Sequence, residues 1–199
     1  LRQVLLNHMV TGVNMSTELS TGYIKTLAKG SASSTNTLSM FVNTASGVRL
    51  NGVANVIAAD VMASNGVVHV VDAVIGLPTI VTHATANPNF STLVGALTAE
   101  GQPDFVGILS GTASSPFTVF APSNAAFETF ESQNPGTIAS LSSAQLTAVL
   151  SYHVVAGANV LSTGIPTGPI TTYETGTFTV SGTTITDEAS RQTNIVAVD

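Results

Sequence analysis

Apolar positions set out the elements of the chain before anything else does. Leu1, Val4 and Leu5, with His8 one step further, fall at i, i+3, i+4 and i+7 and predict one face of a helix with no capping residue before it, so the chain is expected to open inside an element. A polar, turn-rich stretch follows Gly12 as far as Asn36. Runs at 38–42, 48–50 and 53–62 then read as short strands, with Asn51-Gly52 as a hairpin turn. Asn65-Gly66 turns the chain again into 67–75, a continuous apolar run expected to be a strand buried on both faces. After Leu77-Pro78 the period changes from two to about 3.6. Helices are predicted over 79–86, 90–100 (Phe90, Leu93, Val94 and Leu97 on one side, Asn89 as cap) and 105–109.

Thr118-Val119-Phe120-Ala121-Pro122-Ser123-Asn124-Ala125-Ala126-Phe127 combines three local signals. Thr118 to Phe120 is β-branched or aromatic, and Pro122 prevents further ladder bonding. Ser123 or Asn124 can then accept from the free amides of a helix that runs to about Phe130. The prediction is a strand, a hard corner and a capped helix. Beyond Asn134-Pro135-Gly136, Ser142 or Ser143 caps a helix in which Leu146, Val149, Leu150 and His153 repeat the opening pattern. At an offset of 145, seven of fourteen residues are identical: Leu1, Val4, Leu5, His8, Val10, Gly12 and Asn14 return as Leu146, Val149, Leu150, His153, Val155, Gly157 and Asn159. This is an internal duplication. The runs 178–185 and 194–199 echo the early strands, the second through Asn55-Val56-Ile57-Ala58-Ala59-Asp60.

Composition narrows the function classes. Charged residues make up 8% of the 199, against about 25% in an ordinary soluble domain, so the surface is expected to be neutral and rich in hydroxyls. The net charge is −6, and the five basic residues Arg2, Lys25, Lys29, Arg49 and Arg191 are too scattered to neutralise a phosphate backbone; nucleic acid is not an expected partner. Mean hydropathy is +0.40, yet the longest apolar run is interrupted by His69 and Asp72 and falls far short of the roughly 20 residues that span a bilayer. No basic-then-apolar stretch stands at the start, so any signal peptide is expected to have been removed or to lie upstream. Without cysteine there is neither a disulfide framework nor thiol chemistry. Asn14-Met15-Ser16 and Asn89-Phe90-Ser91 are acceptor sequons if the host glycosylates.

Candidate chemistry is sparse. His8 and His153 fall on apolar helix faces and His69 in an apolar strand, which favours structural imidazoles bonded to backbone over metal ligands; His83 completes the set. No HExxH, paired-His or calcium-loop spacing occurs, so neither metal nor cofactor is expected. Asp60, Asp72 and Asp199 sit near strand ends as turn caps. No nucleophile elbow or phosphate cradle occurs. The adjacent Asp187-Glu188 and the i, i+3 pair Glu128 and Glu131 read as solvated faces. No enzymatic activity is expected.

The TVFAPSNAAF corner resembles the first signature motif of the fasciclin-like domain, an extracellular adhesion module in which an Asn at the position of Asn124 is characteristic and Ser123 stands for the commoner Thr. Tyr152-His153-Val154-Val155 with Gly157 is similar to the second signature. The stretch from Asn65 to Asp72 is similar to the closing strand, and Asn7 departs from the Tyr usual before the helix-end His. The resemblance implies an α+β fold, a wedge of β-sheet with packed helices. It is present here as two partial copies: 1–78 as the C-terminal half of a first domain and 79–199 as a second domain lacking its closing strand. It further implies an extracellular or cell-surface location and adhesion to proteins, surfaces or matrix. The resemblance implies Thr118, Phe120, Pro122, Ser123, Asn124, Phe127, Tyr152 and His153 as interaction motif residues, while Phe120, Phe127, Val154 and Val155 also read as core.

An open sheet edge must be covered. Two readings are open: the chain is an excerpt of a longer tandem protein, or a neighbouring copy completes the fold and chains join head to tail into a fibre. On the second reading Ile195, Val196 and Val198 accept, and Val68 and Val70 supply, the assembly edge. Glycan binding is a third possibility, for which Tyr23, Tyr152 and Tyr173 are the only tyrosines and there is no Trp.

Overall fold

The computed structural model describes residues 1–196. The chain forms two compact units, 1–91 and 92–199.

In the first unit, helix α1 (Arg2–Asn7) precedes a five-stranded antiparallel sheet. Its strands are β1 (Gly22–Lys25), β2 (Ser39–Asn43), β3 (Arg49–Leu50), β4 (Ala54–Ala63) and β5 (Gly66–Val71), in that spatial order. Met40 and Val42 point from β2 into a core shared with Leu50, Ala54 and Ile75. Phe41 points the other way, onto Tyr23, with ring centroids 5.0 Å apart. Helix α2 (Ile80–Ala86), capped by a reciprocal Thr79–Thr82 box, lies close to that second face, where His83 meets Tyr23 edge-on at 5.4 Å. Gly52 is required where it stands: its φ is +69°, and a Cβ there would lie 3.2 Å from the Ala86 backbone.

The structure departs from the sequence expectation in five places here. β1 lies inside the stretch expected to be irregular. The 51–53 loop has three residues, Leu50 pairing with Ala54, and Ser64-Asn65 rather than Asn65-Gly66 makes the second turn. The run 67–75 is not buried on both faces: β5 is the outer strand, and Val68 and Val70 are 52% and 41% exposed. Leu1, which precedes α1, and Leu5 on it are exposed, and Asn7 is the fully buried residue of the helix.

The second unit is reached through a 3₁₀ turn (Pro88–Phe90) and α3 (Ser91–Leu97), and here Asn87, not Asn89, is the cap. Then come α4 (Phe105–Ser110, capped by Asp104), β6 (Phe117–Val119), α5 (Asn124–Gln133), α6 (Thr137–Ser140), α7 (Ser143–Tyr152) and β7 (Val154–Ala156). A four-stranded sheet follows, ordered β11-β10-β9-β8, from β8 (Ile170–Thr171), β9 (Thr177–Ser181), β10 (Thr184–Asp187) and β11 (Gln192–Asn194). Val155, Ile170, Phe178 and Val180 form its core.

The duplication extends to hydrogen bonds. Thr26 N and Oγ1 both donate to Leu38 O, and Thr172 N and Oγ1 both donate to Gly176 O. Leu27 N donates to Met9 O as Tyr173 N does to Val154 O, and His8 Nδ1 donates to Val4 O as His153 Nδ1 does to Val149 O. The sheet β8-β9-β10-β11 runs parallel in order to β1-β2-β3-β4.

Candidate interaction surfaces

The β6–α5 corner is held from both sides. Thr118 pairs with Val155 in the ladder, its Oγ1 donates to Ala158 O at 3.0 Å and it accepts from Val160 N at 2.8 Å. Phe120 N donates to His153 O, and the Phe120 ring meets Phe178 edge-on at 5.0 Å. Past Pro122, Ser123 is the N-cap of α5, accepting from Ala126 N, while Asn124 is the first helical residue and its Oδ1 accepts from Thr92 N at 3.0 Å. Asn124 therefore ties α5 to α3. Phe127 is half-buried.

The Tyr152 ring lies tilted at 58° to Phe178, centroids 6.2 Å apart, and its hydroxyl donates to Thr177 O. Thr118, Phe120, Tyr152 and His153 thus meet in one packed region, where the Thr118 and Tyr152 hydroxyls and His153 Nδ1 are bonded within the chain. Pro122, Ser123 and Asn124 are half-buried beside it.

Of the assembly-edge residues, Ile195 still donates its N–H to Thr183 O and packs on the second core, Val196 is 90% exposed, and Val198 lies outside the described residues. Val68 and Val70 lie on the exposed face of β5, where they pair with Val61 and Ala58 of β4. These positions are spread over two units.

His8, His69 and His153 take the backbone-bonded roles expected, whereas the buried Nδ1 of His83 has no hydrogen-bond partner among the described residues. His8 donates through Nδ1 and accepts from Ile75 N at Nε2; His69 donates through Nε2 to Asn14 O and accepts from Asp60 N at Nδ1. Among the described residues no group of three metal-ligating side chains converges, and no helix is long and apolar enough to cross a membrane.

Ser16, through its hydroxyl and then its amide, pulls the Asp60 carboxyl below 3.8, and the Asn55 side chain and amide do the same for Asp72. Burial lowers the His83 imidazole below 6.5, and Lys25 adds to this. All three shifts leave the unfolded chain holding more protons than the folded one. Stability is therefore expected to fall with pH in two windows, from 6.5 downward as unfolded His83 charges, and from 3.8 downward as the carboxylates of the unfolded chain protonate. Acid titration of the unfolding midpoint checks this: His83→Gln should flatten the upper window only, and Asp60→Asn the lower.

The fasciclin domain family model matches residues 1–78 and 88–198. The chain belongs to the fasciclin domain family. An uncharacterized protein of Synechocystis is 45% identical over 83 residues, 41% of this chain and 56% of its own length. The immunogenic protein MPB70 of Mycobacterium bovis is 40% identical over 84 residues, 40% of this chain and 42% of the relative. The cell surface glycolipoprotein MPB83 of the same species is 39% identical over 80 residues, 39% of this chain and 34% of the relative. The matched stretch thus spans about half or less of these curated relatives. The solved FAS1 domain pair from the insect cell adhesion molecule Fasciclin I superposes with a TM-score of 0.60 at 20% identity, covering 100% of this chain and 74% of that one. That likeness establishes the fold, an α+β arrangement in two copies.

Sequence reasoning missed β1 and the polar groups that fasten the first fasciclin copy, Asn7 and Thr26. It noted Asn7 only as a departure from Tyr. A polar residue replacing an aromatic at a repeat-matched position was the available signal.

Proposed function

We propose that this fasciclin chain is a non-enzymatic extracellular or cell-surface module that adheres to proteins, surfaces or matrix. The family match over both copies carries the reading, and the surface location named for MPB83 and the adhesion role named for Fasciclin I agree with it. The packed state of the Thr118–Phe127 corner supports a scaffold role for those residues. Asn124→Ala removes the acceptor for Thr92 N and is expected to cost about 1 kcal/mol, so melting should drop before adhesion does. Beads coated with the intact chain, tested on cells and matrix proteins, check the reading. Adhesion no greater than with albumin-coated beads would sink it, and lost adhesion at unchanged melting would move Asn124 into the contact itself.

A second reading, head-to-tail assembly into a fibre, is favoured by one observation. β4 carries β5 on its outer side, whereas its counterpart β11 is an outermost strand among the described residues. On this reading residues 1–78 are the C-terminal half of one domain, 79–199 are a domain awaiting its closing strand, and a β5-type segment of another copy pairs along 192–198. Sedimentation should then show concentration-dependent oligomers. A single monomeric species over a hundredfold concentration range would rule assembly out.

A further inference from the structure

Register places three polar side chains in line across the first sheet. Arg49 of β3 pairs directly with Asn43 of β2 on one side and with Asn55 of β4 on the other, so the three project from one face in neighbouring strands. With the Ala45–Gly47 turn they line an open cavity of about 290 Å³. Gly47, at φ +84°, supplies the left-handed backbone that this turn needs.

The amides are half spent. Asn43 Oδ1 accepts from Ala45 N, leaving its Nδ2 to the cavity, and Asn55 Nδ2 donates to Asp72, leaving its Oδ1. Arg49 is exposed; its side chain makes no hydrogen bond and no ion pair within 4.0 Å among the described residues, and acts on Asp72 only through its charge, which adds to the larger effect of Asn55 in lowering that carboxyl. Asp72 is the nearest acid on the β5 side, but Asn55 N and Nδ2 hold its two oxygens at 2.7 and 2.8 Å and it does not line the cavity.

The second copy supplies an internal contrast. There the matching row is Ser181, Thr184 and Asn194, paired in the same way, and Thr184 Oγ1 donates to Asn194 Oδ1 at 3.0 Å. That row closes on itself. In the first copy a guanidinium stands at the central position with its donors uncommitted and an unspent donor and acceptor beside it.

We propose that the Asn43–Arg49–Asn55 row is a binding site for a uronate-type sugar, one carboxylate carried on a hydroxylated ring. The planar guanidinium takes the carboxylate through two N–H donors. Asp72 repels that charge from the β5 side, so the carboxylate lies toward Asn43 and the turn, and ring hydroxyls meet Asn55 Oδ1 and the Ser46 hydroxyl. The volume sits at the small end of ligand cavities and admits a single ring. Recognition rests on charge and hydrogen bonds without an aromatic platform, so affinity is roughly millimolar for the monomer. The site stands apart from the adhesion and assembly readings and does not depend on either.

The test is an amide chemical-shift titration of the intact chain with sodium galacturonate, galactose and sodium acetate at matched ionic strength. Galacturonate is expected to shift residues 43–49 and 55 and to saturate, with galactose and acetate leaving them nearly unmoved. Arg49→Thr, which installs the residue of the second copy, should weaken binding at least about tenfold, with Arg49→Lys intermediate. Thr suits an exposed strand position, and Arg49→Gln serves if the Thr variant loses its dispersed spectrum. Acetate saturating the same amides equally would leave an adventitious ion only, and galactose matching galacturonate would remove carboxylate recognition; each overturns the proposal. So does the absence of shifts, or unchanged binding in both the Thr and Gln variants.

Discussion

Phe178→Ala is expected to destabilise the second fasciclin copy by about 3–5 kcal/mol, the largest effect of any single truncation argued for that unit. Phe178 is buried in β9 and packs with Val155, Ile170 and Val180, while Phe120 meets its ring edge-on and Tyr152 leans on it. Truncation removes the apolar transfer energy of a full ring and leaves a void faced by two aromatic side chains. Neither can move in to fill it. Phe120 is fixed by its backbone bond to His153 O and Tyr152 by its hydroxyl bond to Thr177 O. The β6–α5 corner should therefore loosen with β9, although no residue of the corner has been changed. Denaturant unfolding followed by hydrogen exchange at residues 117–120 and 177–181 reads both effects. Phe178→Leu keeps most of the volume and should cost less than half as much. An Ala variant with an unchanged midpoint would mean that the aromatic trio is not the centre of this core.

The family motif and the core that supports it were legible to different degrees. Residues 118–127 could be read as strand, corner and helix because each step depends on a local preference: β-branching at Thr118 and Val119, the lost donor at Pro122, the cap at Ser123. The duplication was legible because identities recurred in phase with a helix. What escaped was non-local. The four residues of β1 carry one aromatic and one aliphatic side chain, and only pairing with Ser39 to Val42 makes them a strand. The one-sided burial of β5 depends on its outer place in the sheet, which an apolar run cannot report. The Asn43–Arg49–Asn55 row exists only through the β2–β3–β4 register, since in sequence the three residues are six apart with two turns between them.

The same non-local logic governs the second large effect, expected for Asn7→Ala in the first copy. Asn7 is fully buried; its Nδ2 donates to Gly76 O at 2.9 Å and its Oδ1 accepts from the Thr26 hydroxyl at 3.2 Å. The adjacent His8 accepts from Ile75 N through Nε2 at 3.0 Å. Two consecutive residues at the end of α1 thus clamp the strap that follows β5, and Ile75 on that strap is itself a core residue. Alanine leaves the Gly76 carbonyl without its donor and opens a small void. Thr26 retains Leu38 O as an alternative acceptor, so most of the loss falls on the strap. Gly76 is itself exposed, so water can replace part of the lost donor, and with the lost packing of the buried Asn7 side chain a total of about 2 kcal/mol is expected. Asn7→Leu would restore volume without the donor and should recover only the packing share, which separates polar fastening from simple filling. Asn7→Tyr places at this position the residue of the second copy, Tyr152, whose hydroxyl there reaches Thr177 O. In the first copy Gly76 and Thr26 already lie within hydrogen-bond reach of the shorter side chain, so the ring is expected to overpack rather than rescue. Hydrogen exchange at Ile75, whose N–H is held by His8 Nε2, is the decisive readout: it should accelerate in the Ala, Leu and Tyr variants alike. Protection retained in the Leu variant would show that volume, not the amide, holds the strap.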